Sequence, residues 1–367
     1  MSGPVPQRKG GAALGGGPGM RRTRLAIPAV ALLGVLALGA CGGADPGEAA
    51  ESASAEQSGA GEAAGPGSGG LEVVRPEATG DWPAASDSIP GTPWTRQDWE
   101  IFQRTVRTAR EAGLDTLPLG EAIGAMGRLF LGSPYVPRTL EVPGPERLVV
   151  NLRGLDCVTF VENVLALTRF SRLHGTEVLD DPIRARMLYE TDLASLRYRD
   201  GLPMGYASRI HYFSEWLRRN DGEDRIRLLE DLPGAVDDPE AIDFMSTHAD
   251  AYDQLADGAA LEGIREVEGA LNARPPRRYV PEADIPRAAP EIKTGDVIAA
   301  TSTVRGLDVA HTGIAVWVDG ALHLLHAPLV GSTVVLSERT LAERIQAIDG
   351  QDGIMVARPG GRWWEGN

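Results

Sequence analysis

The sequence predicts an α+β fold in which a helix that begins at a free cysteine packs on an antiparallel sheet. Three observations support this prediction. Helical patterns fill most of residues 95–274, short β-rich runs separated by Gly and Asp follow residue 296, and Cys157 begins an apolar helical pattern. The order along the domain is therefore helices, then the helix that follows the cysteine, then an antiparallel sheet.

The first 41 residues have the features of a bacterial lipoprotein signal. A basic segment at 20–24 precedes a short apolar run at 25–38, and Leu38-Gly-Ala-Cys41 resembles a lipobox. The run is shorter than the ~20 residues of an ordinary membrane span. Cys41 is therefore the candidate lipid-anchor residue, with an ordinary secretory signal and a chance cysteine as the alternative. We expect an exported, membrane-anchored lipoprotein facing the periplasm or the cell surface.

Composition divides the remainder into a tether and one large domain. Residues 42–88 are dominated by Gly, Ala, Ser, Glu and Pro, so they bury too little apolar surface to offset chain entropy and are expected to be disordered. Residues 89–367 have normal apolar content and form the predicted catalytic domain, with a helical insert at about 183–274. The net charge is −15 and no basic stripe occurs, which argues against nucleic acid as a partner.

Local signals place the helices in order along this domain. Thr95 and Asp98 form a capping signal for a helix that runs to about residue 112, where Gly113 closes it. A second helix is expected over 119–130, a short strand over 148–152, and the helix behind the cysteine over 158–172. The insert is expected to be mainly helical, for example at 210–219 and 248–264.

Four β-rich runs form the predicted sheet, at 296–300, 311–317, 321–326 and 333–336. Asp319-Gly320 separates the second run from the third, and this dipeptide is a strong signal for a tight hairpin.

Cys157 is the candidate nucleophile. The chain has two cysteines, and lipidation of Cys41 would leave Cys157 without a disulfide partner. Unpaired N–H groups at a helix start favour a thiolate and could stabilise an oxyanion, so we expect an ionised thiol there. Asp156 precedes it, where it could fix the turn or assist the oxyanion site. His311, at the start of a strand beside Thr312-Gly313, is the candidate base.

A third polar group should orient the imidazole of His311. His323 and His326 are the options on the following strand. They are three residues apart, so on a regular strand they point to opposite faces and only one can serve.

The motifs Gly154-Leu-Asp-Cys157 and His311-Thr-Gly-Ile-Ala-Val resemble those of the NlpC-type, papain-like cell-wall peptidases. The fuller pattern is similar to one branch, the N-acetylmuramoyl-L-alanine amidase-like family. The supporting segments lie between about 125 and 358 and include Ser133-Pro-Tyr135, Tyr206-Ala-Ser-Arg-Ile-His-Tyr212 and Leu325-His-Ala327.

This resemblance implies a papain-like core with Cys157 and His311 as catalytic residues and His326 as the third. It implies peptidoglycan stem peptides as the substrate and requires no metal or other cofactor. Tyr135 is expected in the substrate cleft, with plain packing as the alternative. Ser208 and Arg209 are candidate contacts to a substrate carboxylate or amide, with an internal ion pair as the alternative for Arg209. His211, Tyr212 and Trp216 are expected to be packing residues.

Two other functions are open at this level. One is a metal-dependent amidase that uses His311, His323 or His326 and an acid such as Asp308, although no dense ligand motif is present. The other is a non-catalytic wall-binding module on the same fold.

Overall fold

The computed structural model describes residues 87–366 of the chain. The predicted signal at 1–41, and nearly all of the predicted tether at 42–88, lie outside the described residues. The first described residues are already held to the fold. The Asp87 carboxylate accepts the Gln97 backbone N–H at 3.0 Å, and Ser88 forms an antiparallel β-bridge with Thr95.

Helices in the described region surround a single sheet. They are α1 (Arg96–Glu111), α2 (Leu119–Arg128), α3 (Cys157–Leu173), α4 (Pro182–Arg197), α5 (Phe213–Gly222), α6 (Phe244–Thr247), α7 (Gly258–Asn272), α8 (Ile285–Ala288) and α9 (Leu341–Gln346). Within residues 87–366, no helix combines the length and apolar character needed to cross a bilayer.

The first helix begins and ends where the sequence predicts. The Thr95 hydroxyl accepts the Asp98 backbone N–H at 3.1 Å, and Gly113 follows the helix with a φ of +69°. One face of α1 is buried, with Phe102 and Val106 in the main core. Capping and amphipathic spacing together account for this element.

The cysteine-bearing helix α3 lies at the centre of the molecule. Its first residue is Cys157, and most of its side chains are buried. It packs against α2 and α4 on one side and against the sheet on the other. Phe160 and Phe170 are fully buried within this core, so the position of the cysteine is fixed by packing on several sides.

The sheet is antiparallel and has eight strands, which confirms the predicted combination of helices with an antiparallel sheet. The strands are β1 (Ile226–Leu228), β2 (Val236–Asp238), β3 (Arg277–Pro281), β4 (Val297–Ser302), β5 (Val309–Val318), β6 (Ala321–His326), β7 (Val335–Leu336) and β8 (Gln351–Pro359). Their order is β2-β3-β8-β4-β5-β6-β7, with β1 also paired to β8.

The predicted hairpin between β5 and β6 is confirmed. Asp319 has φ of +49° and Gly320 has φ of +80°, as a tight turn with two left-handed residues requires. The turn fixes the register in which Ile314 lies opposite Leu325. This register places β5 and the end of β6 side by side at the site described below.

Two local predictions are wrong. The segment 148–152 is not a strand, because its backbone groups bond to side chains: Arg197 donates to the Val149 carbonyl at 2.6 Å, and Asp98 accepts the Leu152 N–H at 2.9 Å. The helix expected over 248–264 begins only at Gly258, after short 3₁₀ turns, because Asp257 caps it there by accepting the Ala259 N–H at 3.0 Å.

The predicted insert, residues 183–274, contains helices and two short strands. Apolar residues of this insert form a cluster separate from the main core. The cluster includes Tyr206, Tyr212, Phe244, Met245 and Ile264. This cluster supports one wall of the cavity beside Cys157, because Tyr212 and Met245 line that cavity.

Close backbone contact between α2 and the turn before β4 depends on two glycines. Gly295 has φ of +90°, and a Cβ there would lie 2.4 Å from the Gly120 Cα. We therefore expect Gly295→Ala to lower the free energy of unfolding by about 2–5 kcal/mol, through backbone strain and overlap. Urea unfolding measures this loss. Gly360→Ala is the matched control, since nothing lies within 4 Å of its Cβ position, and a similar loss in both variants would contradict the argument.

Candidate active site

A complete capping box fixes the helix start at Cys157. The Asp156 carboxylate accepts the Thr159 backbone N–H at 2.8 Å and its hydroxyl at 2.8 Å. In return, the Thr159 hydroxyl accepts the Asp156 backbone N–H at 2.9 Å. Asp156 therefore fixes the turn, which is one of the two roles open for it in the sequence, and its side chain also lines the cavity.

Strand β5 is joined directly to this helix start. The Thr312 hydroxyl donates to the Cys157 carbonyl at 2.8 Å. Neighbouring residues on a strand point to opposite sides. His311, next to Thr312, therefore leaves the sheet on the opposite face, where its ring meets that of His326 on β6.

His311 and His326 form a pair across the hairpin. Nε2 of His311 lies 2.8 Å from Nδ1 of His326, and the two rings are nearly perpendicular. This contact leaves Nδ1 of His311 as the ring nitrogen available for proton transfer. His323 is not at the pair, since its Nδ1 lies 2.9 Å from the Ser337 carbonyl. The structure thus places His326, not His323, beside His311.

Gly313 provides the space that the histidine pair needs. A Cβ at this position would lie 2.9 Å from the His326 Cβ and 2.8 Å from the Leu325 carbonyl oxygen. Any larger residue would push β6 away from β5. The sequence prediction that small residues leave room beside His311 agrees with this contact.

Cys157 and His311 line one cavity of about 140 Å³. Cys157 is only 2% exposed, but the cavity reaches it. The walls come from the loop after α2, the start of α3, the segment before α5, the 245–252 region and β5. They include Tyr135, Arg138, Glu141, Glu162, Arg197, Arg209, His211, Tyr252 and Asp308.

Burial keeps the resting thiol protonated, so the expectation of an ionised Cys157 is wrong for the resting molecule. Burial raises the pKa of Cys157 to about 12, and the Asp156 carboxylate adds to the rise. Hydrogen bonds from Thr312 and the Val158 backbone lower that pKa, but by less than burial raises it. The helix-start effect predicted from sequence is present but smaller than the cost of desolvation.

Both imidazoles at the site are neutral as well. Burial lowers the pKa of His311 well below its ordinary value, with His326 and Arg344 adding to the effect. Burial also lowers the pKa of His326 to about 3. The resting site therefore holds a neutral thiol and two uncharged imidazoles, and the imidazole of His311 belongs to the same cavity wall as the thiol.

Tyr135 lines the cavity beside Cys157. Its backbone N–H donates to the Ser332 carbonyl at 2.7 Å, and it bridges to Leu155. Burial, followed by Cys157 and Asp156, raises the pKa of the Tyr135 phenol. The hydroxyl therefore stays protonated and can donate a hydrogen bond near the thiol.

Ser208 and Arg209 have different positions. Arg209 lines the cavity, but its guanidinium pairs with Glu141 at 2.6 Å and Glu146 at 3.3 Å, which is the internal ion pair considered as the alternative. Ser208 is not among the residues that line the cavity; its hydroxyl donates to the Gly205 carbonyl at 2.7 Å and accepts the Met204 N–H. The structure therefore does not bring Ser208 to the site.

The sequence alone did not indicate that several other residues belong to the site. Thr312 adjoins His311, but its contact with Cys157 spans 155 positions. Arg344 of α9 is half-buried, and its charge opposes protonation of both histidines. His211, expected to be a packing residue, does pack on Tyr206 with ring centroids 4.4 Å apart, and it also lines the cavity.

The residues considered for a metal site do not form a ligand cluster, although His311 and His326 are paired. Asp308 accepts the Ser214 and Val309 backbone N–H groups at 2.7 and 2.8 Å, and His323 points to Ser337. Among the residues that the structure describes, no group of three or more His, Cys, Asp or Glu side chains could hold a metal ion.

The sequence profile of the AmiA-like family, described as N-acetylmuramoyl-L-alanine amidase-like, matches residues 125–354, more than half of the chain. The chain belongs to this family. The predicted resemblance is confirmed at that level. The matched region contains Cys157, His311 and His326, so the whole histidine–thiol site of this N-acetylmuramoyl-L-alanine amidase-like protein lies inside it.

Solved structures agree with this assignment. A crystal structure of an N-acetylmuramoyl-L-alanine amidase from Bacteroides uniformis ATCC 8492 is 34% identical, with a TM-score of 0.59, covering 66% of this chain and 99% of that chain. A Bacteroides fragilis protein with "xylanase" in its name is 33% identical, with a TM-score of 0.56, covering 63% and 98%. Protein LPG0564 of Legionella pneumophila, at 19% identity and a TM-score of 0.52, covering 72% and 95%, shows the fold alone. No curated protein matches the chain.

The raised pKa of Cys157 makes alkylation strongly dependent on pH. In the full chain carrying Cys41→Ser, Cys157 is the only thiol. With a pKa of about 12, its thiolate fraction at about pH 8 is on the order of 10⁻⁴. We expect the iodoacetamide rate of this family member to rise about tenfold per pH unit from pH 7 to 10. Mass spectrometry measures the labelling, and a rate that levels off below pH 8 would contradict the neutral resting state.

Proposed function

We propose that this protein hydrolyses an amide bond of peptidoglycan, with Cys157 as the nucleophile. Family membership supports the substrate class, since the family and the Bacteroides uniformis relative are named for N-acetylmuramoyl-L-alanine amidase. The observation that carries the cysteine mechanism is that His311, which pairs with His326, lines the same cavity as a thiol at a helix start. The bond is either the muramic acid–L-alanine link or a bond within the stem peptide.

The proposed reaction has two steps. Cys157 attacks the amide carbonyl while Nδ1 of His311 takes the thiol proton, and the oxyanion is stabilised by N–H groups at the start of α3. His311 gives its proton to the leaving amine, which breaks the C–N bond and forms a thioester. Water, deprotonated by His311, then hydrolyses the thioester and restores the thiol. His326 holds the imidazole of His311 in the required tautomer.

We further propose that the core is of the NlpC-type, papain-like class. Three features support this assignment. The nucleophile begins a buried helix, the base lies on the strand that contacts this helix, and the third residue lies on the next strand. The segment 183–274 is then an insertion that forms part of the cavity wall.

The proposed location is the cell envelope. Residues 1–41 would direct export, diacylglycerol on Cys41 would hold the protein on a membrane, and 42–88 would be a flexible tether. A tether of about 47 residues has an r.m.s. span of ~40 Å, which would let the domain 89–367 reach the wall. Support for this arrangement comes from the sequence features at 20–41 and 42–88.

Product analysis tests the reaction. The full chain with Cys41→Ser is incubated with purified muropeptides, and mass spectrometry identifies the cleaved amide bond. We expect Cys157→Ala to reduce product formation by about 10³-fold or more, because the thioester can no longer form.

A chelator is expected to leave the rate unchanged, whereas prior alkylation of Cys157 by iodoacetamide at about pH 10, verified as complete by mass spectrometry, abolishes it. Loss of activity with the chelator alone would favour the metal-dependent alternative. Unchanged product release by Cys157→Ala would remove the proposed mechanism, and wall binding without any release would indicate a binding module.

The two histidines of β6 provide a matched pair of variants. His326→Ala removes the contact to His311, and we expect kcat to fall by about 10²- to 10⁴-fold. His323→Ala, on the same strand but bonded to Ser337, should change kcat less than about threefold. Steady-state kinetics on the muropeptide identified above separates the two, and equal losses would contradict the assignment of His326.

A further inference from the structure

Three arginines line the cavity beside Cys157, and two of them are already neutralised. Arg197 pairs with Glu162 at 2.7 Å, with both side chains at most 2% exposed. Arg209 pairs with Glu141 and Glu146, as described above. Because these charges have buried counterions, neither guanidinium offers an unbalanced charge to a ligand.

Arg138 differs from both. Its nearest carboxylate, that of Asp253, lies 4.0 Å away and has a side chain that is 94% exposed. An exposed pair at this separation is weak because water screens it. The Arg138 side chain itself is 22% exposed and lines the cavity. Among the described residues of the cavity wall, it is the cation that lacks a close, buried counterion.

The backbone of Arg138 is held in an uncommon conformation. Its φ is +60°, in the left-handed region, and its carbonyl accepts the Glu141 N–H at 3.0 Å in a tight turn. A glycine would adopt this conformation more easily. The turn places an arginine side chain at the cavity despite the local preference, and such positions are often functional.

The carboxylates of the cavity are all committed to protein donors. Glu141 accepts from Arg209 and from the Tyr206 hydroxyl, Asp156 from Thr159, and Asp308 from the Ser214 and Val309 backbones. Glu162 accepts from Arg197. An incoming cation would therefore find no free carboxylate here, whereas an incoming anion would find Arg138.

We propose that Arg138 binds a free carboxylate of the substrate close to the scissile amide, and so makes the enzyme selective for acidic over amidated peptides. This inference rests on the proposed function and narrows its substrate class. Tyr252, which lines the same wall, would supply a neighbouring hydroxyl. A guanidinium suits this task because its two parallel N–H groups match the two oxygens of a carboxylate.

Paired substrates test the proposal. Two synthetic muropeptides differ only at the second stem residue, which carries either a free α-carboxylate (D-glutamate) or the carboxamide (D-isoglutamine). With the full chain carrying Cys41→Ser, we expect kcat/KM to be about 10- to 100-fold higher for the carboxylate form. Arg138→Gln should remove this preference, mainly through KM, and Arg138→Lys should leave an intermediate preference.

Two further variants are controls. Arg265→Gln removes the same charge from α7 outside the cavity, where the arginine is 55% exposed beside Glu262, and should keep the full preference. Asp253→Asn removes the weak partner of Arg138 and should also keep it. If Asp253→Asn abolishes the preference as Arg138→Gln does, Arg138 acts by holding its loop and the proposal is wrong.

Binding measurements separate this proposal from the proposed function. The Cys157→Ala variant, which cannot turn over substrate, is titrated with each peptide by calorimetry. We expect Kd to be at least about tenfold lower for the carboxylate form, and Arg138→Gln in the same background to equalise the two Kd values.

Hydrolysis of both peptides at equal kcat/KM, together with equal Kd values, would overturn the role of Arg138 and leave the cysteine mechanism standing. Selective binding without hydrolysis by the Cys41→Ser chain would instead overturn the cysteine mechanism and leave the role of Arg138 standing. Thermal unfolding of each variant checks that it is folded.

Discussion

The joint between the start of α3 and strand β5 determines where the chemistry can occur. Asp156 and Thr159 close the first turn of the helix, and Thr312 attaches the Cys157 carbonyl to the strand. Since the imidazole of His311 is borne by the neighbouring residue of that strand, one hydrogen bond sets the relation between the helix that begins at Cys157 and the strand that carries His311. The rest of the core, including the buried aromatic residues of α3, keeps this joint from moving.

Burial gives the site its electrostatic character. The same packing that orders Cys157, His311 and His326 removes the water that would stabilise their charged forms, so all three are neutral at rest. A neutral thiol is slow to react with passing electrophiles. In the proposed mechanism, charge develops only when an acyl group occupies the cavity. Buried ion pairs around the cavity, such as Arg197 with Glu162, keep the surrounding field fixed while this happens.

Sequence patterns predicted the elements whose signals are local. The cap at Thr95, the helix after Asp156 and the Asp319-Gly320 hairpin each depend on neighbours within a few positions. The false strand at 148–152 arose because its backbone partners, Arg197 and Asp98, are distant in sequence. The protonation state of Cys157 and the ion pairs of Arg209 likewise depend on residues that are distant in sequence. Site residues were predictable as residue types, but their charges and partners were not.

Alternation along β5 has a consequence for how such chains can vary in length. Thr312 reaches α3 on one face of the sheet and His311 meets His326 on the other, because consecutive side chains of a strand leave it on opposite faces. Inserting or deleting one residue between Thr312 and the Asp319-Gly320 turn would exchange the faces of these two side chains and disable both contacts. Homologous chains should therefore exclude added or missing residues from this part of β5, where Ile314 also pairs with Val297 and Leu325.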